Sequence, residues 1–312
     1  MATAHDDMPT APSVADRYTL SWEQKAVLEQ ADRFARERLH PLQARMDDEE
    51  WWPEGVMAEC AEYGFLGLTA PARFGGADMD IFSAMLVGQA FAKWNPAFAL
   101  SWGAHENLCL NNILRNGTEA QLEKWLPGLC SGEQIGALGL TEPGAGSDAL
   151  EGMRTTARRD GDEWVLDGRK LYITNGPIAD VLLVYAKTDP TAGAQGISAF
   201  IVERDSPGFA VAQKLTKMGF RGSPTAELVF DGCRVPAENL LHVENEGVAV
   251  VMSGLDLERA LIAPICVGMS ERALELSIDY ARERKQFGRP IASFQMIQAK
   301  LADMYTALES MR

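Results

Sequence analysis

The acidic side chain with the clearest potential for chemistry is Glu258, which lies in the centre of the apolar segment 248–269. In a helix, the residues three and four positions away are glycine or aliphatic, so none of them neutralises the carboxylate. Because helical side chains lean toward the N-terminus, we expect the carboxylate to lie over Gly254 and to face a gap. Desolvation raises the pKa of such a carboxyl group, which suits a general base. The alternative is an ion pair with an arginine of another element, and the spacing does not distinguish the two.

The segment 139–148 could bind a cofactor. It places Thr141, Ser147 and Asp148 among small residues in one short turn after a predicted strand. Such a turn exposes backbone N–H groups to an anion or to the polar edge of a ring. The glycines alone would favour a plain hairpin turn, but the three polar side chains favour a cofactor site.

The segment 170–176 is predicted to be a strand that ends in an Asn-Gly turn. Alternation along the strand places Tyr172 and Thr174 on the same face. A flat ring could therefore lie against Tyr172 while Thr174 forms a hydrogen bond with its edge. The alternative is a half-buried strand without a ligand, which this segment by itself favours.

Several charged residues are candidates for contacts with an anionic ligand. Asp256 and Arg259 lie three residues apart, so they can pair on a helix. Arg284 lies in the basic helix end 280–288, where a phosphate contact and an ordinary interaction with the helix dipole are both consistent with the pattern. A second basic cluster, for which a solvated surface is more expected than an anion site, consists of Lys214, Lys217 and Arg221.

The composition limits the functional classes. The chain of 312 residues has 29 Lys and Arg against 44 Asp and Glu, and its net charge of −15 disfavours nucleic-acid binding. The five cysteines form no CxxC pair and the four histidines no HExxH motif, so we expect reduced thiols and no metal site. Charged residues at the centre of 248–269 argue against a membrane span. Residues 1–16 resemble neither a signal peptide nor a transit peptide, which predicts a cytoplasmic protein.

The periodicity of apolar residues predicts an α+β protein. We expect a flexible tail over 1–17, an N-terminal helical domain over 18–134, a central antiparallel β-barrel or sandwich over 135–238 and a C-terminal helical bundle over 239–312. The last helix keeps an apolar stripe through Met304, Leu308 and Met311 without a stop signal. We therefore expect the helix to continue beyond Arg312 and the sequence to be a truncated piece of a longer chain.

The order of these motifs resembles that of the acyl-CoA dehydrogenase family. The likeness covers nearly the whole chain from about residue 20, and Gly103-Ala-His-Glu-Asn-Leu-Cys109 is most similar to the isovaleryl-CoA branch. The resemblance implies an FAD cofactor, an acyl-CoA substrate, an electron-transferring flavoprotein as electron acceptor and a homotetramer built as a dimer of dimers. The motifs that carry it are Leu140-Thr-Glu-Pro-Gly-Ala-Gly-Ser-Asp148, Tyr172-Ile-Thr-Asn-Gly176, Gly254-Leu-Asp-Leu-Glu-Arg259 and Arg284-Lys-Gln-Phe-Gly288.

The resemblance also implies roles for individual residues. Glu258 matches the catalytic base of the isovaleryl-CoA and long-chain branches. The residues that match flavin contacts are Leu138, Leu140, Thr141, Gly146, Ser147, Tyr172, Ile173 and Thr174. Those that match contacts with the FAD of a neighbouring subunit are Arg284, Gln286, Phe287 and Gln295. Those that match acyl-CoA contacts are Ser147, Asp256, Leu257 and Arg259.

The implied reaction is FAD-dependent α,β-dehydrogenation of a short, branched acyl-CoA to the 2-enoyl-CoA. Pro264 and Ala249 depart from the isovaleryl-CoA branch, which has a small residue and a tyrosine at these positions, so a longer or bulkier acyl chain is an alternative. A flavin oxidase of the same fold is another alternative. A non-catalytic subunit that depends on a partner is a third, because family members carry further helices with a Gly-Gly flavin contact.

Overall fold

The computed structural model describes residues 20–312. The tail predicted over 1–17 lies outside the described residues. The described chain has helices, then strands, then helices again, which confirms the predicted α+β architecture. The change from helix to strand falls between Ser131 and Gly136, and the change back to helix falls between Leu241 and Gly247.

The N-terminal part consists of helices whose starts are fixed by polar caps. Ser21 and Thr118 each form a capping box with the glutamine three residues later, and the Asp80 side chain accepts a hydrogen bond from the Ser83 N–H group at 3.0 Å. The helices are α1 (Trp22–Phe34), α2 (Gln43–Glu49), α3 (Val56–Glu62), α4 (Ile81–Trp94), α5 (Pro96–Gly103), α6 (Asn111–Asn116) and α7 (Glu119–Ser131), with π-helical segments at Ala35–Leu39 and Ala104–Leu110.

The central part is an eight-stranded sheet formed by β1 (Gly136–Gly139), β2 (Thr156–Asp160), β3 (Glu163–Thr174), β4 (Val181–Lys187), β5 (Ile197–Glu203), β6 (Phe209–Lys214), β7 (Thr225–Pro236) and β8 (Leu240–Leu241). The strand order is β6-β7-β3-β2-β4-β5-β8, with β1 paired to β4. Most pairs are antiparallel, as predicted, but β1 and β2 each run parallel to β4. Strand β1 follows α7 and enters the sheet beside β4, which is formed more than 40 residues later.

Strand β4 is buried on both faces, so its side chains contribute to two different cores. Leu182, Val184 and Ala186 pack with residues of β3, β5 and β7 in the interior of the β domain. The alternate residues, including Leu183 and Tyr185, pack against the helical residues that surround Trp125. The sheet is thereby fixed to the helices, and β1 with its following loop is held at the junction.

The C-terminal part is dominated by α8 (Gly247–Glu283), which is followed by a short hairpin of β9 (Lys285–Gln286) and β10 (Arg289–Pro290) and by α9 (Gln295–Met311). Helix α8 packs along α4 at close range, since a Cβ atom on Gly268 would lie only 2.1 Å from the Gln89 carbonyl oxygen. Among residues 20–312, no helix combines the length and the apolar character that a bilayer span requires.

Candidate active site

The loop 139–148 and strand β3 are joined directly by a contact between residues that are 30 positions apart in sequence. The Leu171 N–H group donates a hydrogen bond to the Thr141 carbonyl oxygen at 2.9 Å. Within the loop, Glu142 and Ala145 exchange two backbone hydrogen bonds at 2.9 and 3.1 Å, which closes a tight turn. The structure therefore brings together the two segments that the family resemblance assigns to the cofactor.

The loop presents open backbone at Gly144 and Gly146. A Cβ atom built on either glycine has no heavy atom within 4 Å, and neither residue has a positive φ, so the fold itself does not require glycine here. The N–H groups of Gly146 and Ser147 have no acceptor within residues 20–312. Open space beside free N–H donors fits the close approach of a phosphate-bearing ligand such as the pyrophosphate of FAD.

Tyr172 lies in a β-bulge that simple strand alternation did not predict. The pairing of β3 with β7 shifts register between Lys170 and Ile173, and Tyr172 has a left-handed backbone with φ of 62°. Tyr172 is 67% exposed, Ile173 is buried and Thr174 is half-buried. An exposed aromatic side chain on a strained residue is unusual, and it fits stacking against a flat ring.

A buried ion pair beneath the loop was not predicted from the sequence. The Lys170 Nζ atom lies 2.8 Å from Glu142 Oε1, and the two side chains are 0% and 5% exposed. Burial lowers the pKa of Lys170 to about 8. Burial acts to raise the pKa of Glu142, but Lys170 and the hydrogen bonds to the carboxylate hold it below its usual value. Both groups therefore stay charged near neutral pH.

Asn175 ties the end of β3 to the N-terminal helices. It has a φ of 64°, and its buried Nδ2 atom donates to the Ser101 carbonyl oxygen at 2.8 Å and to the Gly136 carbonyl oxygen at 3.1 Å. Its position in the Asn-Gly turn is as predicted, but its contacts join three elements that are distant in sequence. The turn thus fixes the end of the strand that carries Thr174.

Glu258 lies in α8 and is half-buried. Its carboxylate forms no hydrogen bond or ion pair with any residue in the described range, so the predicted alternative of an arginine partner from another element is not found. Desolvation raises the pKa of Glu258 to about 7, and Arg259 opposes this effect only in part. A carboxyl group with this pKa can release and accept a proton near neutral pH, as a general base must.

The predicted gap beside Gly254 was wrong. The side-chain amide of Asn112 occupies this position, with its Nδ2 and Oδ1 atoms each 2.5 Å from where a Cβ atom of Gly254 would lie. The amide is fixed there because Nδ2 donates to the Leu108 carbonyl oxygen at 2.8 Å. The missing side chain of Gly254 therefore accommodates helix packing, and the surroundings of Glu258 include a polar group from α6.

The predicted pair of Asp256 and Arg259 is confirmed, with an N–O distance of 2.9 Å. Both side chains are more than 60% exposed, so the pair contributes little to stability and its groups remain accessible to a ligand. Leu257, on the other side of the helix, packs against the core of the N-terminal helices. The segment 256–259 thus presents two charges outward and one apolar side chain inward.

The four residues assigned to a neighbouring subunit's cofactor lie on and beside the β9–β10 hairpin. All four side chains are exposed, and Phe287 is 92% exposed with a φ of 51°. Phe287 contacts Phe294 edge-to-face, with ring centroids 6.1 Å apart. The structure groups these residues on the exposed hairpin that follows α8 and at the first residue of α9. They are Arg284, Gln286, Phe287 and Gln295.

The basic cluster of Lys214, Lys217 and Arg221 is not an open anion site. Lys214 donates to the Glu50 carbonyl oxygen at 2.5 Å, and Arg221 pairs with the Glu50 carboxylate at 3.0 Å. Lys217 donates to the carbonyl oxygen of Ser223. Lys214 and Arg221 therefore stabilise the C-terminal end of α2, whose carbonyl groups attract positive charge.

The two departures from the family pattern both lie on α8. The helix continues through Pro264, which is buried, so this residue removes one helical N–H donor without ending the helix. Ala249 is exposed and lies in the first turn of the helix. A small exposed residue at this position leaves room that a tyrosine would fill.

Another buried carboxyl group, that of Glu106, binds backbone N–H groups of the N-terminal part. It accepts hydrogen bonds from the N–H groups of Gly67 and Leu68 at 2.8 and 2.7 Å. Burial raises its pKa to about 7 despite these two bonds. The neighbouring His105 is also fully buried, where it accepts from the Gly136 N–H group at 2.9 Å, and burial lowers its pKa to about 4.

Three family sequence models match the chain in order. They describe the N-terminal domain of acyl-CoA dehydrogenases (residues 21–133), the middle domain (137–233) and the C-terminal domain (245–312). Together they match well over half of the chain.

Individual relatives agree with the family models. The chain is 46% identical to the mitochondrial 2-methylacyl-CoA dehydrogenase of Solanum tuberosum, over 93% of this chain and 70% of the relative. It is also 46% identical to the mitochondrial isovaleryl-CoA dehydrogenase of Arabidopsis thaliana, over 91% of this chain and 70% of the relative. Among solved structures, it is similar to butyryl-CoA dehydrogenase from Megasphaera elsdenii with a TM-score of 0.90 and 38% identity, over 94% of this chain and 77% of that one.

Proposed function

This chain belongs to the acyl-CoA dehydrogenase family, and from that premise we propose that it removes hydrogen from the α- and β-carbons of a short, branched acyl-CoA, with FAD as cofactor and Glu258 as catalytic base. The observation that carries the proposal is the half-buried, unpaired Glu258 carboxyl group with a pKa of about 7. A group of this kind on an apolar helix has no evident structural purpose.

The residues of the loop 139–148 and of the bulge fit FAD. The free N–H groups of Gly146 and Ser147 would hold its pyrophosphate, and Tyr172, Ile173 and Thr174 would line its ring. The remaining proposed contacts are Leu138 of β1 and Leu140 and Thr141 of the loop. When bound, FAD supplies the acceptor for the hydride that leaves the β-carbon of the substrate.

Glu258 acts on the substrate's α-carbon. The thioester acidifies the α-proton, and the ionised carboxylate of Glu258 removes that proton while the β-hydrogen leaves as hydride. A pKa near 7 keeps a useful fraction of the base ionised at neutral pH and retains driving force for the transfer. After the step, the carboxyl group holds the proton, which it releases to solvent before the next turnover.

Four further residues would bind the acyl-CoA. We propose that Ser147, Asp256, Leu257 and Arg259 contact the acyl-CoA, with the exposed charge of Arg259 available to its phosphates and polar groups. The space beside Ala249 would admit branching or extra length in the acyl chain.

We also propose partners beyond the single chain. The exposed group of Arg284, Gln286, Phe287 and Gln295 would contact the FAD of a neighbouring subunit in a homotetramer. Electrons would leave the reduced enzyme through an electron-transferring flavoprotein.

A second candidate substrate is a 2-methyl-branched acyl-CoA. Two observations favour it. The chain is as similar to a relative named 2-methylacyl-CoA dehydrogenase as to one named isovaleryl-CoA dehydrogenase, at 46% identity in each case, and Ala249 has a small side chain. The two substrates differ at the reacting carbons, since the α-carbon carries the branch in one and the β-carbon in the other.

An anaerobic titration tests the proposal. The purified chain is expected to show a visible flavin spectrum that bleaches when isovaleryl-CoA is added, and a parallel titration with 2-methylbutyryl-CoA decides between the two substrates. A flavin spectrum that neither compound bleaches would reject a short, branched substrate. Absence of flavin from the purified chain and failure to bind added FAD would reject the cofactor. Rapid reoxidation by air after bleaching would favour the oxidase alternative.

A further inference from the structure

Lys170 is a fully buried cation whose partners lie under the loop 139–148. Its Nζ atom donates to Glu142 Oε1 at 2.8 Å and to the Leu140 carbonyl oxygen at 3.1 Å. Both acceptors belong to the loop, whereas Lys170 belongs to β3. One ammonium group therefore joins the strand to two points of the loop.

Glu142 extends this connection to a third segment. Its Oε2 atom accepts from the Arg154 N–H group at 2.7 Å, and its Oε1 atom accepts from the Thr155 N–H group at 3.0 Å. The carboxylate thus has three donors, two from the chain entering β2 and one from β3. Charged hydrogen bonds of this kind hold backbone segments in a defined geometry.

Each residue of the ion pair is next in sequence to a segment that the proposed function assigns to the flavin. Glu142 follows Thr141 directly and lies in the tight turn that precedes Gly146. Lys170 is the last regularly paired residue of β3 before the bulge that contains Tyr172. The ion pair therefore lies between the two segments that the proposed function assigns to the flavin, and neither of its side chains is exposed enough to touch a ligand.

We propose that Glu142 and Lys170 are positioning residues that hold the loop 139–148 against the Tyr172 bulge, so that both segments face one cofactor in a fixed geometry. That the cofactor is a flavin rests on the proposed function. That the ion pair holds the loop against the bulge rests on the contacts of this chain alone.

If the pair served stability alone, replacing both charges would leave FAD binding unchanged; if it positions the loop, FAD binding would weaken although the chain still folds. Buried ion pairs contribute little net stability compared with uncharged replacements, whereas loss of one partner leaves an unpaired buried charge and is strongly destabilising. The double variant Lys170→Met with Glu142→Gln removes both charges and keeps an amide oxygen as acceptor for one of the two backbone N–H groups, Arg154 or Thr155. We expect it to be more stable than Lys170→Met alone.

The double variant separates folding from positioning. We expect it to unfold cooperatively, but to bind FAD at least about tenfold more weakly than the unsubstituted chain and to show an altered flavin spectrum. The matched control is Glu106→Gln, which alters another buried glutamate that accepts two backbone N–H groups. The control is expected to lose stability without a change in FAD affinity. A double variant with unchanged FAD affinity and spectrum would overturn the inference.

Hydrogen exchange provides a readout without flavin. In the double variant, the amides of Leu171 and Ala145 are expected to exchange at least about tenfold faster, because their acceptors lie in the loop that the pair fixes. In the Glu106→Gln control, these amides are expected to keep their relative protection. Unchanged exchange in the double variant would overturn the inference. If the unsubstituted chain binds no FAD, the proposed function fails, and the exchange result still decides whether the pair fixes loop and bulge.

Discussion

The side-chain amide of Asn112 lies where a Cβ atom of Gly254 would be, with two of its atoms 2.5 Å from that position. Gly254 is one helical turn before Glu258, so this contact sets the distance between α8 and α6 beside the proposed base. The Oδ1 atom of Asn112 is buried and has no hydrogen-bond partner within the described part of the chain. Close packing, not a polar bond, is thus what the contact provides.

This contact makes Gly254→Ala a destabilising change. Replacing glycine by alanine within a helix usually stabilises it by about 1 kcal/mol, but here the new methyl group overlaps a buried amide, and overpacking costs about 1–3 kcal/mol. We expect urea unfolding to show a net loss of stability. The loss should be smaller when Gly254→Ala is introduced into an Asn112→Ala background. A more stable Gly254→Ala variant would contradict the observed packing.

Gly146→Val should affect the ligand without affecting the fold. The glycine has a negative φ and open space around its Cβ position, so we expect the free energy of unfolding to change by less than about 0.5 kcal/mol. The added side chain occupies the space where the pyrophosphate would lie, so FAD binding should be lost. The control is Gly219→Val, at an equally open glycine outside the proposed site. Equal FAD affinity in the two variants would contradict the assignment of the loop.

Tyr172→Gly should weaken FAD binding without lowering stability. A non-glycine residue with a left-handed backbone costs about 1–2 kcal/mol, whereas glycine loses about 0.5–1 kcal/mol through backbone entropy. We therefore expect the free energy of unfolding without FAD to stay unchanged or to rise by up to about 1 kcal/mol, as measured by chemical denaturation. The control is Asp78→Gly, at an exposed residue with φ of 52°, and it should leave FAD affinity unchanged. A strong loss of stability in Tyr172→Gly would show that the ring is part of the core.

The pH dependence of stability should report the burial of Glu106. Its pKa is about 7 in the folded chain and near 4.5 when unfolded, so the folded state binds more protons between these values and the carboxyl group's contribution falls as pH rises. We expect the advantage in stability of the unsubstituted chain over Glu106→Gln to shrink from pH 4.5 to pH 7. His105 titrates in both chains, so its opposite effect cancels in this difference. A difference that is constant with pH would contradict the raised pKa.

The local features of the site could be predicted from the sequence because they depend on residues close together in the chain. Helical spacing placed Asp256 beside Arg259, and the absence of basic residues three and four positions from Glu258 predicted a carboxyl group without a partner on its own helix face. Both are found in the structure. The helix starts at Ser21 and Thr118 depend likewise on residues within four positions.

Features that depend on distant contacts could not be predicted. Asn112 fills the space at Gly254 from a helix 142 residues earlier, and Glu50 neutralises Arg221 across 171 positions. Lys170 appears in sequence as an ordinary strand residue, because its burial depends on a carboxylate from the loop. The bulge at Tyr172 depends on the register with β7, which alternation within one strand does not determine.

The central claim is that Glu258 removes the α-proton, and anaerobic stopped-flow measurement of flavin reduction by isovaleryl-CoA tests it most directly. For Glu258→Gln we predict retained FAD binding and a rate of reduction lower by a factor of about 10²–10⁴. In the unsubstituted chain, the rate should rise with pH through about 7, as the carboxyl group ionises. Glu106→Gln, which changes a glutamate of similar pKa, should reduce the flavin at nearly the unsubstituted rate. Flavin reduction in Glu258→Gln within a few-fold of the unsubstituted rate would contradict the claim.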